Sequence, residues 1–239
     1  MLPLLILAFE TSAKAGSVAL WEDSRLLGEF YNNTGLTHSQ TLMVMAQQLL
    51  ESCGRRPKDV EAVAVAAGPG SFTGVRIGVA AAKGFAWGAE LPLYGVSTLE
   101  SMALQLGIRD GLIMPVMDAR RQQVYNALFR FQDGNIERLT PDRAISLEDL
   151  EKELTGDKEP VFLVGDGSIL CYNTLEDKLS RLVLPPEHRM HQRAAGVALA
   201  ASRAISQGQS GDAAALQPNY LRLSQAERER LAKKENKEN

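Results

Sequence analysis

The sequence predicts strands and helices in alternation, divided between two α/β units. Three observations carry that expectation. Apolar runs of strand length alternate with segments of helical period. Both halves of the chain open the same way, with a strand, a polar turn, a second strand and then a helix. The 239 residues, 45% hydrophobic and 23% charged, are enough for one large domain or two compact ones with a buried core.

In the first half, Leu4 to Phe9 reads as a strand and the polar run Glu10 to Gly16 as a turn. Ser17 to Trp21 and Arg25 to Tyr31 follow as further strands, a spacing that suits an antiparallel meander. Thr37 to Cys53 is the strongest helix, because Leu42, Met45, Ala46, Leu49, Leu50 and Cys53 fall on one helical stripe. Thr37 or Ser39 is placed to cap its start and Gly54 to end it. Met43 and Val44 lie off the stripe, so the helix is either buried on two sides or also docks a partner helix. Val60 to Ala67 is almost continuously apolar and reads as a buried central strand. After the break at 68–74, a helix rich in Gly and Ala runs to about Gly88. Each glycine inside a helix costs about 0.8–1 kcal/mol relative to alanine, so Gly74, Gly78, Gly84 and Gly88 suggest close backbone approach. Leu91 to Val96 is a strand, and Ser97 with Glu100 has capping-box spacing for a helix through Leu106.

The second half begins near Gly111. Leu112 to Asp118 and Val124 to Phe131 read as strands, with a turn at Asp133–Gly134. Ser146 to Leu154 is a short helix opened by Ser-x-x-Asp, and Pro160 to Val164 is a strand ending in Gly165-Asp-Gly-Ser168. Ala194 to Gln207 is a helix. The tail from Ser224 is charged and helix-prone. The expected division is 1–107 and 108–239, with the last ~20 residues packing back on the first unit.

Composition excludes several classes. With 26 basic and 29 acidic residues, the formal charge of -3 argues against a surface that is basic throughout. No run approaches the ~20 apolar residues of a membrane span, and Leu2 to Phe9 lacks the flanks of a signal peptide. Cys53 and Cys171 are far apart and form no CxxC pair, so neither a disulfide scaffold nor a thiolate zinc cluster is expected. The expected compartment is the cytoplasm.

Several segments could carry chemistry. Glu10-Thr11-Ser12 follows a buried strand and could hold a metal-bound water and a phosphate, or be an ordinary hydrogen-bonded turn. Gly68-Pro69-Gly70-Ser71-Phe-Thr-Gly74 could cradle an anion at a helix N-terminus, or be a tight strand-to-helix connection. It is neither a Walker A sequence nor a dinucleotide fingerprint. Asp118-Ala-Arg120-Arg121 could face a phosphate or form a structural salt bridge, and Gly165 and Gly167 could approach a nucleoside or turn the chain. His188 and His191 have metal-like spacing but no further ligand nearby, and His38 reads as a cap or surface residue. No complete catalytic set is present, and no metal site is expected.

Together these motifs resemble the TsaB (YeaZ) family. The resemblance rests on Ile6-Leu-Ala-Phe-Glu-Thr-Ser12, on Gly68-Pro-Gly-Ser-Phe-Thr-Gly-Val-Arg76-Ile-Gly78, on Gly95-Val-Ser-Thr-Leu99, on Asp118-Ala-Arg120 and on Pro218-Asn-Tyr-Leu-Arg222. It spans nearly the whole chain. It implies the actin, sugar kinase and Hsp70 fold (ribonuclease H-like), with two related domains of mixed sheets flanked by helices. It further implies a role in making N6-threonylcarbamoyladenosine at tRNA position 37, as the non-catalytic partner of the transferase paralogue TsaD and with the ATPase TsaE. The transferase paralogue carries a metal-binding His-x-x-x-His where this chain has Thr98 and Met102.

The resemblance makes Glu10, Thr11, Ser12, Asp118, Arg120, Gly165 and Gly167 candidates for a nucleotide or phosphate, with Gly68, Pro69, Gly70, Ser71, Gly74 and Arg76 in the glycine-rich loop. No cofactor is expected for the isolated chain, with ATP or ADP conceivable at the partner interface. The expected docking surface combines Leu42, Met43, Met45 and Leu49 with Gly78, Ala81, Ala82 and Phe85. It would serve a homodimer in isolation and the TsaD pairing in function, with tRNA reached through the complex. The alternative is a stand-alone ATPase or small-molecule kinase of the same fold.

Overall fold

Alternating and continuous apolar runs build two sheets in the computed structural model, which describes residues 4–106, 110–156 and 159–222. The first comprises β1 (Leu5–Glu10), β2 (Gly16–Glu22), β3 (Arg25–Asn32), β4 (Ala62–Gly68) and β5 (Leu93–Ser97), in the order β3-β2-β1-β4-β5. Its first three strands are antiparallel, while β1-β4 and β4-β5 are parallel. β1 and β4 are buried at every residue, which is why both read as unbroken apolar runs.

The second sheet repeats this plan. It comprises β6 (Gly111–Asp118), β7 (Gln123–Asn126), β8 (Phe129–Gln132), β9 (Asn135–Arg138), β10 (Arg143–Ser146), β11 (Val161–Val164) and β12 (Leu182–Val183). The order β10-β7-β6-β11-β12 matches the first sheet, with the β8-β9 hairpin added on β6. The run expected as one strand over 124–131 is two. β7 pairs with Val116–Asp118, whereas β8 pairs with Gly111–Ile113. Pro115 lies between these ladders and has no N–H to donate, and Asn126 Nδ2 caps its carbonyl at 3.3 Å instead.

Helices α1 (His38–Ser52) and α2 (Phe72–Gly88) cover one face of the first sheet, as α4 (Leu147–Leu154) and α5 (Ser168–Leu175) cover one face of the second. α5 has no apolar stripe in its sequence and was not expected. The expected caps hold for α3 (Thr98–Leu106), where Glu100 N donates to Ser97 Oγ at 3.1 Å, and for α4, where Asp149 N donates to Ser146 Oγ at 3.1 Å. Thr37 precedes α1 without a side-chain capping bond.

The other faces are covered by exchange. After the short helix α6 (Glu187–Met190) the chain returns, and α7 (Ala194–Ser206) packs its alanines on β1, β2 and β4 of the first sheet. Conversely, Leu99, Met102 and Ala103 of α3 pack on Ile113, Met117, Phe129 and Val164 of the second unit. A cut at residue 107 therefore does not separate two self-contained units, because α7 completes the core of the first. Beyond α7, residues 211–222 also lie against the first unit, with Ala213 and Leu216 joining its core. Residues 223–239, which hold the rest of the tail, fall outside the described residues.

Candidate functional site

The carboxyl ends of β1, β4, β6 and β11 converge between the units, the position in which open α/β sheets bind ligands. A cleft of about 670 Å³ opens there, a size typical of small-molecule sites. Ser12 to Lys14 and Pro69 to Thr73 form one wall, and Met117 to Arg120, Tyr125 and Asp166 form the other. Asn219 to Arg222 form a third.

Glu10 ends β1 and is wholly buried behind the wall. One carboxyl oxygen accepts the Ser12 N–H at 2.5 Å, and Oε2 has no hydrogen-bond partner among the described residues. Burial pushes the Glu10 carboxyl up to about 7, with Asp166 adding repulsion against the Ser12 bond. Asp166 faces the open cleft while protein surrounds its other sides. Lost solvation raises its pKa, opposed by a 2.8 Å bond from Gln192 Nε2, and the nearby Asp118 adds to the rise. Glu10 behind the cleft and Asp166 within it are thus carboxyls whose pKa values lost solvation raises.

The glycine-rich segment is a tight connection. A Cβ at Gly70 would lie 2.5 Å from the Ser12 carbonyl oxygen, and at Gly74 it would overlap that of Thr11. A Cβ at Gly78 would overlap Thr11 Oγ1, which itself donates to the Gly74 carbonyl at 2.8 Å. Ser71 N donates to Ser12 O and Gly74 N to Ser71 Oγ, so two N–H groups of an anion cradle are already used. Gly68 adopts φ +112°, and a Cβ there would meet the Asn219 carbonyl oxygen at 2.6 Å.

These contacts redistribute the expected site residues. Of Glu10, Thr11 and Ser12, only Ser12 lines the cleft, and its buried Oγ has no partner among the described residues. Gly165 and Gly167 do not line it. They let the turn after β11 press on the backbone of Val116 to Asp118, and the side chain between them, Asp166, is the one that reaches the cleft. Arg76 turns away to Tyr220, donating from Nε to its hydroxyl at 2.7 Å and lying 3.8 Å over the Phe72 ring. Asp118 accepts the Arg120 N–H at 2.6 Å, while the Arg120 and Lys14 side chains have no ion-pair partner among the described residues. Lys14 and Arg120 therefore fit the anionic part of a phosphate-bearing ligand. Residues 120–122 all adopt positive φ, a strained run that holds Arg120 at the cleft mouth.

Asp166, Lys14, Phe72 and Tyr220 were not singled out from the sequence. For Asp166 a signal existed, since it lies at the carboxyl end of a parallel strand, as Glu10 does at the end of β1. His38 opens α1 and is half-buried, with Nε2 2.9 Å from the Ala13 carbonyl oxygen. His191 Nε2 approaches Glu187 at 3.4 Å. Among the described residues, no group of three or more His, Cys, Asp or Glu is placed to hold a metal ion.

The expected docking surface is also corrected. Leu42, Met45, Leu49, Gly78 and Ala82 are buried in the chain's own core, because both helices turn these residues to the first sheet. Ala81 and Phe85 are half-buried. Leu36, Met43, Val44 and Trp87 are the exposed large apolar residues on this side, with Trp87 66% accessible. Gly84 is exposed, and a Cβ there would meet nothing within 4 Å.

Comparisons with known proteins agree with this architecture. A family profile described as TsaD, tRNA N6-adenosine threonylcarbamoyltransferase, matches residues 32–230. A Bacillus subtilis protein named tRNA threonylcarbamoyladenosine biosynthesis protein TsaB is 35% identical over 225 residues, covering 94% of this chain and 96% of that one. A solved Pseudomonas aeruginosa protein, described as uncharacterized with similarity to peptidase YeaZ, superposes with a TM-score of 0.78 at 28% identity. It covers 92% of this chain and all of that one. The ethanolamine utilization protein EutJ of Carboxydothermus hydrogenoformans, at 13% identity and a TM-score of 0.50 over 83% of this chain and 89% of its own, shares the fold alone. The repeated sheets are those of the actin, sugar kinase and Hsp70 fold, and the chain belongs to the TsaB/YeaZ family.

Proposed function

We propose that this chain is the non-catalytic partner of a TsaD-type transferase in forming N6-threonylcarbamoyladenosine at tRNA position 37. The pathway follows from the name of the Bacillus subtilis relative. The observation that carries the partner role is the outer face of α1 and α2. Met43, Val44 and Trp87 are exposed there beside Gly84, which costs helix stability and serves no contact within the chain. Thr98 and Met102, where the transferase paralogue has its metal ligands, are fully buried. Neither is a plausible replacement for an imidazole pair.

On this reading the α1–α2 face holds the catalytic subunit in its active arrangement by preferential binding. The same face forms a homodimer when the chain is alone. ATP or ADP sits in the cleft when the partner is bound, with its phosphates toward Lys14 and Arg120. TsaE joins the complex, tRNA is reached through it, and the work takes place in the cytoplasm. No helix among the described residues is long and apolar enough to cross a membrane.

The test is reconstituted transfer with tRNA, a threonylcarbamoyl-adenylate synthase and its substrates, TsaD and TsaE, with and without this chain. Modified adenosine is counted by mass spectrometry. Product is expected only when TsaD and this chain are both present. Met43→Glu with Trp87→Glu should abolish it while leaving the fold intact. The Met45 position is unsuitable for a charge, because it is core. Equal product without the chain would overturn the reading and favour a stand-alone ATPase.

A further inference from the structure

The segment after α7 crosses more of the molecule than its lack of regular structure suggests. Gly211 lies against Leu93 and Tyr94 at the edge of the first sheet, where a Cβ would come within 2.9 Å of the Leu93 N. Ala213 and Leu216 enter the first core, and Leu216 fills the space left by the missing side chain of Gly95. Lys83 Nζ of α2 reaches the Ala214 carbonyl at 3.4 Å. Further on, Asn219 N donates to the Ala67 carbonyl at 2.7 Å, at the end of β4. Tyr220 stacks on Phe72 with centroids 4.7 Å apart and accepts from Arg76. Arg222 then spans the cleft, and its Nη1 donates to the Ala119 carbonyl of the second unit at 2.6 Å.

We infer that residues 219–222 are a releasable clasp that holds the two units closed over the cleft. The root and the tip of the segment differ in how they are held. The root, Ala213 and Leu216, is apolar and buried, so it stays with the first unit. The tip is in neither helix nor strand, Asn219 and Tyr220 are exposed, and side-chain contacts do most of the holding. Such a segment opens locally at far lower cost than the core. The tip also walls the cleft, so its release both frees the units and widens ligand access. Two covalent crossings would remain, one after α3 and one at 191–193, together with the packing of α3 on the second unit. At the second, Gln192 is tied to Asp166 of the second unit, and Arg193 is tied to Glu29 of the first at 2.7 Å. The clasp therefore opens the cleft about a hinge without detaching either unit. The inference does not depend on the identity of the ligand or the partner.

The test is hydrogen–deuterium exchange, followed by mass spectrometry, on the full chain and its Arg222→Ala variant. Losing the bond to the Ala119 carbonyl should speed exchange about fivefold to tenfold in peptides covering 11–16 and 117–123, on both sides of the cleft. Peptides from β4 and α7 should not change. Arg76→Ala removes the partner of the Tyr220 hydroxyl but leaves its stacking on Phe72, and should produce the same two-sided pattern more weakly, which keeps the test available if Arg222→Ala does not fold. Faster exchange confined to 211–222 in both variants would overturn the clasp and leave the segment as local padding.

Discussion

Replacing Glu10 with Gln tests whether a buried carboxyl without a cation partner lies behind the cleft. In the folded chain its pKa is raised from 4.5 to about 7. Below pH 4.5 the carboxyl is neutral in both folded and unfolded chains, and it does not affect their balance. As pH rises past 4.5 the unfolded chain releases its proton while the folded chain keeps it, so stability falls. The loss is complete above about 7, and at about 1.4 kcal/mol per pH unit it amounts to about 3 kcal/mol. Glu10→Gln keeps an oxygen to accept the Ser12 N–H but cannot ionise. It also buries an amide where Oε2 has no partner, a cost that does not vary with pH. The quantity to measure is therefore the difference in unfolding free energy between the two proteins, from urea titrations at pH 4.5 and pH 8. The wild type should lose about 3 kcal/mol relative to the variant between those values, or ~6–12 °C in melting temperature for a chain of this size. Asp166 faces Glu10 and Asp118 faces Asp166, so the same titrations on Asp166→Asn separate the coupled part. A difference that is the same at both pH values within about 0.5 kcal/mol would refute the reasoning, because a solvated Glu10 would titrate alike in both states and a cation-paired one would already be ionised in the folded chain at pH 4.5.

Other outcomes follow from the same contacts. Gly74→Ala should destabilise by about 1–3 kcal/mol in denaturant titrations, because its Cβ overlaps the Thr11 carbonyl, whereas Gly84→Ala meets nothing and should stabilise by up to ~1 kcal/mol. Arg193→Ala would leave Glu29 buried and unpaired at the start of α7, where its carboxylate also accepts the Ala195 N–H. A loss of about 3 kcal/mol is expected, and Arg193→Lys should recover part of it. Burial pushes the Cys171 thiol up to about 12, so timed alkylation of the native chain should modify Cys53 and spare Cys171 until the protein unfolds.

Local chemistry made much of this molecule readable from its sequence. The apolar runs of β1 and β4 could only be buried strands, and the period of α1 marked Leu42, Met45 and Leu49 as one face. Ser97 and Ser146 were recognisable as caps because a capping bond spans only three residues. The glycine-rich loop declared its need for close approach, although not what approaches. Neighbours far along the chain decided the rest. Periodicity shows that a helix has an apolar face but not which sheet receives it, so the exchange of α3 and α7 between the units was invisible. The stripe put Met45 on the apolar face and Met43 off it, but that this face meets the chain's own sheet and not a partner was settled only when α1 was laid on that sheet. Glu10 became a carboxyl with a pKa near 7 only because folding closed the protein around it and brought Asp166, 156 positions away, to its side. Desolvation and charge proximity are properties of an environment, and the environment of each cleft residue is assembled from strand ends that only the tertiary fold brings together.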